Sequence, residues 1–116
     1  MNILVIGDIV GRPGRRAIKD LLPQIKKEHN ISFTIANAEN AAGGRGLSWE
    51  VADELFSCEI DALTMGNHVW DNKELLTFID DQPRIIRPAN YPEPCPGNGY
   101  QIFDLLEFTN TLFYSF

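Results

Sequence analysis

Short apolar runs alternate with helix-spaced segments from Asn2 to Arg87, and that alternation limits the fold more than any single motif does. The run Asn2 to Gly7 is continuous and rich in β-branched residues and leucine, as in a strand covered on both faces of a parallel sheet. After Gly7-Asp8-Ile9-Val10-Gly11-Arg12-Pro13-Gly14, the segment Arg15 to Asn30 places Ala17, Ile18, Leu21, Leu22 and Ile25 at helical spacing. Pro13 suits a first helical turn, and Pro23 is expected to kink the helix or start a second piece. Ser32 to Asn37 reads as the second strand. Ser48 reads as the N-cap of a helix running through Ala52, Leu55 and Phe56 to about Cys58. Asp61 to Met65 is the third strand, Asn72 to Asp80 a third helix with Leu75, Leu76 and Ile79 on one face, and Arg84 to Arg87 the fourth strand. Four prolines between Pro88 and Pro96 exclude regular structure there, and Tyr100 to Leu106 is a last strand candidate. The expected fold is α/β, with alternating β-α units, a mostly parallel sheet and right-handed crossovers.

In such sheets ligands sit beyond the carboxyl ends of the strands. The first three strands end at Asp8, at Glu39-Asn40 and at Asn67-His68. Asp8 and Glu39 are hard oxygen ligands suited to divalent cations, and Asn40 and Asn67 can add neutral oxygens. A bridging carboxylate can hold two metals for displacement at phosphorus. His68 could protonate a leaving oxygen or stabilise charge in the transition state. Each residue also has a purely structural reading. Asp8 could cap the next helix, Asn67 could serve a turn, and His68 could simply pack. Gly43-Gly44-Arg45-Gly46 could be a loop and nothing more. Trp49 and Trp70 are expected to pack, Arg12, Arg15 and Arg16 to form a solvated helix start, and His29 to favour a helix C-terminus.

The 116 residues are enough for one domain with a core. A net charge of −6 argues against an extensive nucleic-acid-binding surface but not against a small phosphate-bearing substrate. No apolar run is long enough to span a membrane, and the N-terminus reads as a strand, not a signal peptide. Cys58 and Cys95 lack metal-site spacing and are expected to be free thiols, which points to the cytoplasm. Neither G-x-G-x-x-G nor the P-loop pattern occurs.

Four motifs in order carry a resemblance: Gly7-Asp8-Ile9-Val10-Gly11, Ala36-Asn37-Ala38-Glu39-Asn40-Ala41-Ala42-Gly43-Gly44, Met65-Gly66-Asn67-His68-Val69-Trp70-Asp71, and Arg87-Pro88-Ala89-Asn90-Tyr91-Pro92. They resemble the calcineurin-like metallophosphoesterases, and within them the bacterial YmdB-like branch of cyclic-nucleotide phosphodiesterases. The resemblance implies Asp8 as a ligand of a first metal, Glu39 as the bridging carboxylate, Asn40 and Asn67 as further ligands, and His68 as the catalytic histidine. It implies two divalent ions, drawn from iron, manganese, magnesium or zinc. Val10 stands where the wider superfamily has histidine, as expected in this branch, and Ala38 where the branch usually has glycine. Family members continue beyond this length and supply further histidine ligands, whereas the only histidines here are His29 and His68.

The expectation is therefore residues 1–106 as the N-terminal part of a metallophosphoesterase domain, with 107–116 a tail unlike the family. A truncated or frameshifted product, or a fragment, is expected, with a cyclic nucleotide or other phosphodiester as substrate and weak or no activity alone. The alternative is a non-catalytic fragment or interaction module that keeps the fold. Half a sandwich would leave sheet surface open, so a homo-oligomer formed through that surface is also expected.

Overall fold

The computed structural model describes residues 1–105 and 108–115, with 108–114 described by their backbone. In chain order come β1 (Asn2–Asp8), α1 (Gly11–Glu28), β2 (Ile31–Asn37), α2 (Trp49–Ser57), β3 (Ala62–Thr64), β4 (Ile85–Ile86), β5 (Tyr100–Leu105) and β6 (Phe108–Tyr114). The first four strands form one parallel sheet in the order β1-β2-β3-β4. The α/β class and the parallel sheet expected from the alternation are what the chain adopts.

That strand order never reverses. Right-handed crossovers advancing one way place every connection on the same face of the sheet. The packing agrees. Leu22 of α1, Val51, Ala52 and Leu55 of α2, and Leu75 and Ile79 share one core with Ala36, Leu63 and Ile85, flanked by Leu4 and Ile6. The opposite face carries Phe33, Ile35, Ala62 and Ile86, with Ile3 beside them, and meets Phe103 and Leu105 of β5. The Phe33 and Phe103 rings lie 5.0 Å apart. β5 and β6 form a separate antiparallel pair. This cover stops short of β1, where Val5 remains 72% exposed. The expectation that β1 is covered on both faces is thus corrected: β1 is an edge strand with one neighbour and one largely open face.

Two further boundaries differ from the sequence expectation. α1 begins at Gly11, not Arg15, and continues through Pro23 without a second start. A helix interior loses one hydrogen bond at such a residue. Here Pro23 is exposed, while Ile18 and Leu22 anchor the helix on the core. In place of a third α-helix over 72–80 there are two 3₁₀ turns, Lys73–Thr77 and Ile79–Asp81. Asn72 caps the first, accepting from Glu74 N–H at 3.1 Å, and Asp80 Oδ1 accepts from Gly97 N–H at 2.7 Å. These ties bend the segment while Leu75 and Ile79 still reach the core. The Ser48 cap is as expected: its hydroxyl accepts from Val51 N–H at 3.2 Å. Cys58 and Cys95 are free thiols. Burial chiefly, then Glu54, pushes the Cys58 thiol pKa up, with Lys19 opposing.

Candidate active site

The parallel register brings the carboxyl ends of three strands level, with Asp8 opposite Asn37 and Asn37 opposite Thr64. The loops after these strands hold the candidate residues. Asn40 Nδ2 donates to Asp8 Oδ2 at 2.9 Å, and Asn40 Oδ1 lies 2.5 Å from His68 Nδ1. His68 N–H donates to Glu39 Oε2 at 3.2 Å, and the His68 ring nitrogen Nδ1 lies 3.7 Å from the same oxygen. Asp8, Asn40, His68 and Glu39 therefore form one connected cluster. Asn67 is exposed and shares with Glu39 and Gly66 the lining of an open pocket of about 230 Å³.

Glu39 is the most constrained member. Asn37 Nδ2 donates to its Oε1 at 3.3 Å, and Asn37 Oδ1 accepts from Glu39 N–H at 3.0 Å. Gly66 explains itself here, since a Cβ at that position would lie 2.6 Å from Glu39 Cδ, inside the carboxyl group. The glycine of Gly66-Asn67-His68 is thus a clearance for the carboxylate. The loop after Glu39 folds back on itself: Gly46 N–H donates to Glu39 O, and Ala42 N–H to Gly46 O at 3.1 Å. Gly46, at φ +73°, sits so close to Asn72 that a Cβ would lie 2.7 Å from Asn72 Cβ. The glycine stretch is a hydrogen-bonded turn system seated against the segment after the His68 motif.

Two residues join the site that sequence reading passes over. Asn37 reads in sequence only as the end of a strand, and its side chain orients Glu39. Arg15, expected in a solvated helix start, is largely buried: its Nε donates to Glu54 Oε2 at 3.0 Å and its Nη1 to Ala41 O at 2.7 Å. It pins the Glu39-Asn40-Ala41 turn to α1 and α2. Arg12 and Arg16 are exposed, as expected. Local sequence pattern does not flag Arg15, because its partners lie 26 and 39 residues away in sequence.

Among the described residues no three His, Cys, Asp or Glu side chains are grouped to hold a metal ion. The donor chemistry still suits a hard divalent cation in part. An ionised carboxylate has about four acceptor positions, and the contacts above leave Asp8 and Glu39 with unused capacity. Asn40 is the exception. Its amide is spent on Asp8 and its oxygen on His68, so in this geometry it bridges the two.

A family model described as YmdB-like protein matches residues 4–112. The chain belongs to the YmdB-like family. The 2′,3′-cyclic-nucleotide 2′-phosphodiesterase of Bacillus subtilis strain 168 is 52% identical over 99 residues, which make up 85% of this chain and 38% of that protein. A solved structure of a hypothetical protein from Thermus thermophilus superposes with a TM-score of 0.90 at 36% identity, covering 98% of this chain and 44% of that one. The crystal structure of a novel phosphatase from Mycoplasma pneumoniae gives 0.83 at 32% identity, over 89% and 38%. This YmdB-like chain thus spans less than half the length of each of these relatives. No helix among its described residues is long and apolar enough to cross a membrane.

Proposed function

We propose that this chain carries one part of a metal-dependent phosphodiesterase site acting on cyclic nucleotides in the cytoplasm. The observation that carries the reading is the Asp8-Asn40-His68 chain of hydrogen bonds beside the fixed carboxylate of Glu39. Asp8, Glu39 and Asn67 are the residues that would hold divalent metal, with Asn40 joining only if its oxygen leaves His68. When bound, such ions supply Lewis-acid stabilisation of charge on phosphoryl oxygens.

The chain's own groups divide the remaining work. Asp8 holds the Asn40 amide, and the Asn40 oxygen accepts from His68 Nδ1–H in the matching tautomer. That leaves Nε2 of His68 to carry the proton for a leaving oxygen. Glu39 Oε2 lies 3.7 Å from the same Nδ1, so its carboxylate faces the imidazole. The His68 backbone N–H and Asn37 keep Glu39 from turning away.

These 116 residues offer few donors, so metal affinity is expected to be weak, about millimolar. Hydrolysis of a 2′,3′-cyclic nucleotide with added Mn²⁺, set against His68→Ala, tests this. The expected result is slight turnover that the substitution removes. Turnover indifferent to both Mn²⁺ and His68 would refute the mechanism. A second reading, a non-catalytic module that self-associates, draws on the open β1 face at Val5. It predicts no Mn²⁺ binding at any concentration together with a concentration-dependent oligomer.

A further inference from the structure

The pocket beside Glu39 has a second wall that the proposed chemistry does not use. Glu39, Gly66 and Asn67 form one side, and Pro88, Asn90 and Tyr91 form the other. We infer that Asn90 and Tyr91 are the nucleoside-recognition wall of the site, taking the sugar and base of a cyclic mononucleotide. The inference rests on the phosphodiesterase reading and deepens it.

That wall is built from within. Arg87, 2% exposed, donates from Nε to Pro96 O at 3.0 Å, from Nη1 to Pro88 O at 3.0 Å and from Nη2 to Glu93 Oε1 at 3.1 Å. The proline-rich stretch is thereby folded around one buried guanidinium. Gly99 backs it so closely that a Cβ there would lie 2.6 Å from Ala89 Cα. The wall is also tied to the His68 loop. Ala89 N–H donates to Ser115 O at 2.7 Å, and Ser115 Oγ donates to Met65 O at 2.7 Å. The Tyr91 ring meets Trp70 edge-on, with centroids 6.1 Å apart. Two segments about twenty residues apart in sequence are thus held in fixed relation across the pocket, as substrate positioning requires.

Three features select the ligand. None of the lining residues is basic, so this wall addresses a neutral part of the substrate and not a second phosphate. Asn90 and the Tyr91 hydroxyl make no side-chain hydrogen bond among the described residues, which leaves a carboxamide, a phenol and an aromatic ring for a sugar and a base. The pocket, about 230 Å³ and open to solvent, is of a size to take a single sugar-and-base unit.

Backbone amide shifts of the full chain in Mg²⁺ provide the test, with adenosine 2′,3′-cyclic monophosphate and dimethyl phosphate as probes. Both are expected to shift Gly66 to His68, and only the nucleotide to shift Ala89 to Tyr91. Tyr91→Ala is expected to weaken nucleotide binding about tenfold through lost stacking while leaving dimethyl phosphate unaffected. Tyr91→Phe should retain most of the affinity, and Asn90→Ala, at an exposed position, should weaken the nucleotide without disturbing the rest of the spectrum. Nucleotide affinity unchanged in both alanine variants, with shifts at Gly66 to His68 intact, overturns the wall and spares the phosphodiesterase reading. Shifts confined to Ala89 to Tyr91 keep the wall and overturn that reading. Absence of any shift overturns both.

Discussion

Glu39 and Asp8 are carboxylates at the ends of neighbouring parallel strands, yet the fold treats them in opposite ways. The Glu39 side chain is 15% exposed and is met by Asn37, by the His68 backbone and by the space Gly66 leaves for it. Asp8 is exposed, and among the described residues one hydrogen bond, from Asn40, reaches its side chain. The cause is position in the sheet. β2 has neighbours on both sides, so the loops after β1 and β3 can close over the Glu39 turn at its end. β1 is an edge, paired among the described residues with β2 alone. Preorganisation here comes from being interior.

The hardest blow to the interior side is Gly66→Ala. The added methyl occupies the Glu39 carboxyl position, so the carboxylate or the His68 loop must move. Overpacking of this kind costs about 1–3 kcal/mol, and Mn²⁺ binding, followed by water proton relaxation, should fall below detection. Wild-type Mn²⁺ affinity in this variant would remove Glu39 from the metal site. Asn37→Ala is milder. It costs about 1 kcal/mol in stability from lost hydrogen bonds and reduces Mn²⁺ affinity about 10–100-fold, the usual effect of losing a residue that orients a ligand. A loss of stability with metal affinity intact would make Asn37 a structural residue only. Asp8→Ala should change stability by no more than about 0.5 kcal/mol, because the residue is exposed. Its Mn²⁺ affinity should nonetheless fall at least as far as that of Asn37→Ala, because a ligand itself is lost, and unchanged affinity would remove Asp8 from the metal site.

The sequence discloses one side of this contrast better than the other. Alternating apolar runs are enough for the parallel sheet, and polar residues at three strand ends are enough to mark Asp8, Glu39, Asn40, Asn67 and His68. The support for them is hidden. Asn37 and Arg15 act through partners chosen by the fold, and Arg87 reads as a strand residue although the proline stretch wraps it. The absent third helix has the same origin. Leu75 and Ile79 keep a helical spacing, but the ties from Asn72 and Asp80 are long-range or capping bonds that favour 3₁₀ turns. Strand order is hidden as well, and with it the fact that every helix lies on one face.

That one-sided arrangement sets the smallest of the expected effects. The edge that leaves Asp8 open also leaves Val5 exposed, on the face where β5 covers the sheet only in part. An edge strand without proline or lysine, such as Asn2–Asp8, is a ready surface for another chain. Val5→Lys places a charge at that surface without touching the helix-side core, so stability should stay within about 0.5 kcal/mol of the parent. Self-association measured by sedimentation velocity should decrease. The helix-side control is Leu21→Lys, also at an exposed apolar position, which should leave association unchanged. Equal effects from the two variants would mean that general surface charge, and not the open edge at β1, governs association. A decrease specific to Val5→Lys would place the association surface on the open face of β1, the same edge strand that leaves Asp8 exposed.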